Sequence, residues 1–386
     1  MEDDLKFRTK TINWRDWLGQ YHMNNVLMQN QNGPCFVISL VNTLILSSEI
    51  SSEEWSTVGK KGSSTSIKAG NSIPPSMLFS LKKMLLSREV SLSSLLNELT
   101  HLMLTLNETR GVSVDIGAIL NVLPQLGTGL NVNLKLDNAV VANFGDQTAS
   151  ILQLLDLFDL KMVHGFLMRE PWAEYDTFDK IQDFLISVID RHSGVALETM
   201  PASEVLGLEV DDAEREVLHK YVLYRDFLSQ NSTQLTEAGL ETLKTDSELV
   251  PNNAFVIFFR NDHFNTLYKL DNRLYLLAND EGYGSGIVWE ELKTVKGSDD
   301  QLLNGYFEVR EDESDKPQEH AEEAVYGDDP IAGADEQLAA QLQSQEDERL
   351  ARDIQREYEA ERAKREKSKD KRPAKQDSKP DKCVIV

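Results

Sequence analysis

Cysteine is scarce in this chain: its 386 residues hold two, Cys35 and Cys383. So few thiols give no disulfide framework, which fits a reducing compartment. Neither cysteine has another cysteine or a histidine at zinc-ligand spacing, which argues against a structural zinc site. No run of 18 apolar residues occurs, so no transmembrane helix is expected. The opening Met1-Glu2-Asp3-Asp4 is acidic and lacks an apolar stretch, so no signal peptide is expected. Positive charge is also short. Forty Lys and Arg against 64 Asp and Glu leave a net charge of −24, which speaks against general nucleic-acid binding. Aromatic and β-branched residues thin out after Val309. Length and composition together point to one large domain over residues 1–310 with a tail behind it.

What is present centres on Gln29-Asn30-Gln31-Asn32-Gly33-Pro34-Cys35 and the apolar run from Phe36 to Leu46. A polar turn meets a Gly-Pro break, and Pro34 suits the position ahead of a helix. The run behind it is apolar on nearly all sides, as in a buried helix, although a buried strand has the same signature at this length. On a helix, Cys35 stands at the N-terminus, where unpaired N–H groups and the macrodipole favour a thiolate. The turn offers backbone N–H groups and the Gln29 amide as oxyanion donors. The competing reading of Cys35 is a small buried hydrophobe.

The segment from Gln29 to Cys35 resembles the catalytic-cysteine motif of the MINDY family of deubiquitinases. A second segment, Phe259-Arg260-Asn261-Asp262-His263-Phe264-Asn265-Thr266-Leu267, is similar to the family's histidine motif. Lesser similarities lie between them, at residues 128–133, 163–167 and 232–240, in the family's order. The resemblance covers roughly the first three hundred residues. It implies a cysteine-type deubiquitinase with Cys35 as nucleophile, His263 as base and Gln29 as oxyanion donor, and it calls for no cofactor or metal. It also implies a preference for longer polyubiquitin chains joined through lysine 48, trimmed from one end. The family's serine two residues after the histidine is Asn265 here. The fold expected is α+β and papain-like, with a helix-borne cysteine against a strand-borne histidine.

The rest of residues 1–310 reads by periodicity. Trp14, Trp17 and Tyr21 are expected to pack against the domain, and 26–28 to form a short strand. Residues 60–75 read as a long loop. Helical spacing puts two helices in 77–106, one in 151–160, and amphipathic helices at 178–191 and 211–228. Alternation predicts a strand within 129–141, another at 162–168, and strands at 254–259, 264–270 and 274–278, the last two joined by a tight turn at 271–273. His164 lies in an apolar strand and is the second candidate for a base, against a satisfied core histidine. Asn279 and Asp280 are candidates to orient His263, or are turn formers.

The tail carries two more patterns. Residues 311–330 form an acidic linker with few large apolar residues, expected to be disordered. Within 331–361 the pattern Asp-Glu-x-Leu-Ala-x-x-aliphatic-Gln occurs twice, offset by 12 residues. Twelve residues advance a helix by about 120° net, so the copies face different ways. Each copy resembles an inverted ubiquitin-interacting helix, with contacts at Leu338, Ala339 and Leu342 and at Leu350, Ala351 and Ile354. The alternative is a solvated helix. Residues 362–386 turn basic and end in Cys383-Val384-Ile385-Val386, a pattern for prenylation of Cys383 with an upstream basic stretch. The whole suggests a cytoplasmic enzyme that associates with membranes through a prenyl anchor, with polyubiquitin and ubiquitinated proteins as partners. A catalytically idle, membrane-attached ubiquitin-binding adaptor is the alternative.

Overall fold

The computed structural model describes residues 4–30, 33–50, 73–110, 114–127, 129–168 and 175–310. The chain divides into two units, Met1–Pro317 and Gln318–Val386. All of the second unit lies outside the described residues, and with it the repeat expected to bind ubiquitin, the basic stretch and Cys383. The loop expected at 60–75 falls there as well, up to residue 72.

The first unit opens with an antiparallel hairpin, β1 (Lys6–Arg15) and β2 (Tyr21–Leu27). A short β3 (Glu89–Ser91) completes a three-stranded sheet in the order β2-β1-β3. Only the end of β2 was expected from the sequence. The alternation in β1 changes phase midway: Phe7 enters the main core, whereas Ile12 and Trp14 enter a separate aromatic cluster with Phe255, Tyr268 and Trp289. Trp14 is fully buried, but Tyr21 is 70% exposed and does not pack inward as expected.

Helix α1 (Cys35–Ser47) follows, and every residue after Cys35 is buried. It packs against β2 and against β5 (Ala254–Arg260) and β6 (His263–Leu270). Helices α2 (Phe79–Met84), α3 (Leu92–Arg110), α4 (Ile116–Val122) and α5 (Thr148–Leu157) build the main core with α1 from Phe36 to Ile45. The strands and this helical core together cover α1, which explains why its sequence shows no polar face. The strand expected in 129–141 is corrected. This segment alternates in burial at Leu134 and Leu136, yet it makes only isolated bridges, Lys135 to Thr177 and Val140 to Val163. Alternating burial without a ladder partner does not make a strand.

The second sheet has six strands in the order β4-β5-β6-β7-β8-β9: β4 (Met162–His164), β7 (Arg273–Leu277), β8 (Trp289–Glu291) and β9 (Gln301–Leu303) flank the β5–β6 hairpin. The β4–β5 pair is parallel and the rest is an antiparallel meander. Strand β4 is shorter than expected, and β8 and β9 were not read from sequence. Two-residue turns close both central hairpins. Asn261 and Asp262 have φ of 53° and 56°, and Asp271 and Asn272 have 52° and 59°. Positive φ at both positions is the turn that suits strand twist, and Asn and Asp tolerate it. On one sheet face Ile257, Phe259 and Phe264 join the main core with α1. On the other, Val256, Phe258, Leu267 and Leu274 pack with Leu240 and Leu243 of α9 (Glu237–Thr245). The helices α6 (Phe178–Arg191) and α8 (Asp212–Gln230) stand where periodicity placed them, capped by Thr177 and Asp211; a short α7 (Ala202–Val205) lies between them. The fold is mixed α/β.

Candidate active site

Cys35 is the first residue of α1. Pro34 precedes it as the N-cap and accepts from the Ile38 amide (3.2 Å). No side chain caps this terminus and no acid lies in its first turn. The first-turn amides are therefore open to a sulfur or an oxyanion. The amides of Cys35 and Phe36 do reach the thiol, and so does that of Phe264 on β6. Burial nevertheless outweighs them and pushes the Cys35 thiol above its ordinary value.

His263 is the first residue of β6, paired with Arg260 across the hairpin. It is half-buried; burial pulls its imidazole below the ordinary histidine value, and the Asp280 carboxylate opposes that shift. Its hairpin is fixed from outside. Arg260 donates to the carbonyls of Thr233 (3.3 Å) and Val295 (2.8 Å). At the turn, Asp262 donates its amide to Gln234 Oε1, and Gln234 Nε2 donates back to Asp262 Oδ1. Phe264, next to His263, sets its ring edge-on to Phe36 of α1 at 5.2 Å. The structure thus brings the cysteine segment and the histidine segment together at Phe264.

Gln29 is buried beside the end of β7. Its amide donates to the Asn279 carbonyl (2.8 Å), and its carbonyl accepts from Glu281 (3.2 Å), a short bridge opposite Asp280. Both donors of its side chain are taken within its own turn, by Asn30 O (3.1 Å) and Gly33 O (3.0 Å). Gly33 packs closely there: a Cβ would displace the Asn30 side-chain oxygen and press on Gln29 Nε2 at 3.3 Å. Of the two residues expected near His263, Asn279 is committed elsewhere, donating to the Leu27 carbonyl at 3.3 Å. Asp280 is exposed and supplies the nearby charge. Asn265 follows on β6 and is half-buried.

His164 is not at this site. It is fully buried on β4 and accepts from the Phe166 amide through Nδ1 (3.1 Å), with the Asn138 carbonyl near it. Burial pulls it down to about 4. It is a core histidine.

Sequence reasoning missed the polar residues inside the apolar run. Asn42 accepts from the Leu27 amide (2.8 Å) and donates to the Leu27 carbonyl (3.0 Å), fixing the strand that leads to Gln29. Ser39 and Thr43 bond to β6. Polar side chains in a helix buried all round need partners, and that was the available signal.

A family model described as MINDY deubiquitinase matches residues 5–307. The chain belongs to the MINDY deubiquitinase family. It is 31% identical to the ubiquitin carboxyl-terminal hydrolase MIY1 of Saccharomyces cerevisiae, over 90% of this chain and 87% of that protein. It is 25% identical to human ubiquitin carboxyl-terminal hydrolase MINDY-2, over 88% of this chain but 51% of that protein. Rat MINDY-1 is 25% identical over 77% of this chain and 52% of its own length. As a member of this family the chain is a cysteine-type deubiquitinase. Among the described residues of this MINDY member, no three His, Cys, Asp or Glu side chains are grouped to hold a metal ion. No described helix is long and apolar enough to cross a membrane.

Proposed function

We propose that this deubiquitinase cleaves the isopeptide bonds of polyubiquitin with Cys35 as nucleophile and His263 as general base, on a papain-like arrangement. The supporting observation is that Cys35, at the start of a buried helix, meets the backbone of the residue next to His263. His263 takes the thiol proton, and the thiolate attacks the carbonyl of the ubiquitin terminal glycine. The Cys35 amide holds the developing oxyanion. Gln29 joins it once its side chain leaves the carbonyls of Asn30 and Gly33. Each such donor is worth roughly 3 kcal/mol. His263 returns the proton to the departing lysine amine, and water then clears the thioester. Asp280 favours the imidazolium that forms in between.

Burial disfavours both the thiolate and the imidazolium in the free protein, so in this mechanism substrate binding promotes the ion pair. The preference for longer chains linked through lysine 48, trimmed from one end, rests on family membership together with the repeated Leu-Ala pattern at 338–342 and 350–354, which raises the effective concentration of a polymer. Attachment to a membrane rests on Cys383 and the basic residues before it.

The test is a time course on lysine-48-linked chains of several lengths, with Cys35→Ala in parallel. Wild type should cleave, faster on longer chains, and Cys35→Ala should lose at least about a thousandfold. Cleavage by Cys35→Ala would overturn the site; equal rates at all lengths would overturn the chain-length preference.

A further inference from the structure

Strand β6 reaches farther than its partner. The β7 register begins at Leu267, so Phe264 has no neighbour on that side. Across the hairpin, Arg260 and His263 flank the two-residue turn as its bonded pair. By the antiparallel pattern the next pair, Phe259 and Phe264, turns its backbone groups outward. Two orphan groups of Phe264 therefore face away from β5, and α1 takes both. The amide reaches the Cys35 thiol, and the carbonyl accepts from Ser39 Oγ at 2.7 Å. Two residues on, the Thr266 hydroxyl meets the Thr43 hydroxyl at 3.0 Å and donates to the Ser39 carbonyl at 3.3 Å.

Cys35, Ser39 and Thr43 are spaced by four, so they form one ridge along α1. Each member of the ridge touches β6. The three hydroxyl residues are 2% exposed or less. Their hydroxyls are not needed for solubility or for the apolar core, where Ala or Val would fill the same positions. The hydroxyls do fix the sliding of helix against strand, which apolar contacts resist weakly because they lack direction. A shift along this seam would move Cys35 relative to His263.

Resting on the assignment of Cys35 and His263 above, we propose that Ser39, Thr43 and Thr266 are positioning residues, a hydroxyl seam that sets the register between the cysteine helix and the histidine strand. They touch no substrate and act only through where they hold the two reacting groups.

The experiment compares Ser39→Ala, Thr266→Val and Thr266→Ser in the full chain. Thr266→Val keeps the shape and deletes the hydroxyl; Thr266→Ser keeps the hydroxyl and deletes a methyl. Three readouts are taken on folded protein well below its melting temperature: kcat and KM for ubiquitin-chain cleavage, the rate of Cys35 alkylation against pH, and Tm. Positioning predicts that Ser39→Ala and Thr266→Val lose roughly tenfold to a hundredfold in kcat with KM unchanged, the scale of a misplacement of about 1 Å. Their alkylation profiles shift along the pH axis, and Thr266→Ser stays within about threefold of wild type. If Ser39→Ala and Thr266→Val keep wild-type kcat, or if Thr266→Ser falls as far as Thr266→Val, the seam is structural only. Should Thr266→Val not fold, Ser39→Ala against Thr266→Ser makes the same decision. Cys35→Ala separates the two levels. Cleavage by that variant would overturn the site itself. Cleavage lost there but unchanged in the hydroxyl variants would overturn only the positioning role.

Discussion

At the residue scale, the two histidines in apolar surroundings have opposite fates. His263 sits at a hairpin end with a carboxylate nearby, whereas His164 is sealed in the core and held near a pKa of about 4. The sign of its effect on stability follows from linkage. The folded value lies below the unfolded one, about 6.5. Above pH 6.5 neither state binds the proton and there is no cost. Between pH 6.5 and about 4 the unfolded chain takes up a proton that the folded chain refuses, so stability falls as pH falls. The full effect is on the order of 3 kcal/mol at acid pH. In a His164→Gln variant, denaturant unfolding should show a flatter loss of stability between pH 7 and pH 4.5 than in wild type; parallel curves would refute this. The sequence could not separate the two histidines by burial, since His164 lies in an apolar strand and His263 closely follows one. What set His263 apart was the motif around it, and the structure adds the reason for its place: the Asn261–Asp262 turn puts the next residue at the end of the hairpin. The polar members of α1 were less legible. Ser39, Asn42 and Thr43 looked like breaks in an apolar run until their partners on β2 and β6 were in view.

Elements were legible where one periodicity ruled a whole segment. Helices α6 and α8 each serve one core face, and their boundaries fall within a residue or two of expectation. Strand β1 was not legible because its two halves feed two cores. Two of the weaker family similarities also gain a physical meaning. They are the halves of one joint. Gly165 after β4 and Gly239 in the first turn of α9 lie back to back, and a Cβ on Gly239 would overlap the Gly165 carbonyl. Thr236 caps α9 and its hydroxyl donates to the Leu167 carbonyl at 2.8 Å. Helix α9 is thereby pinned against the end of β4, behind the hairpin that carries His263. Gly239→Ala should cost about 3 kcal/mol, the upper range for overpacking, because backbone rather than a flexible side chain is in the way. Thermal unfolding beside Gly194→Ala, a position with open space around it, would measure this. Equal Tm values would contradict the joint.

At the scale of the whole molecule, the candidate site belongs entirely to the first unit. A chain ending at Pro317 should fold with the wild-type Tm and label Cys35 with a ubiquitin C-terminal electrophile at a rate within about twofold of the full chain. Its cleavage of long chains should fall by at least roughly tenfold relative to short ones, as tethering by the repeat is lost. Equal loss on all lengths would show that the tail supports the site rather than the polymer preference. The position of α1 has a further consequence, for synthesis. The helix leaves the ribosome early, yet β5 and β6, which cover one side of it, are translated about two hundred residues later. Until then the side of this nearly all-apolar helix that faces β5 and β6 lies uncovered on the nascent chain and invites chaperones or aggregation. Its late partner is also the strand that carries His263. With Cys35 and His263 as the reacting pair proposed above, the nascent chain gains no cleaving activity before its last sheet is made, and the covering of this apolar segment coincides with the assembly of the proposed site.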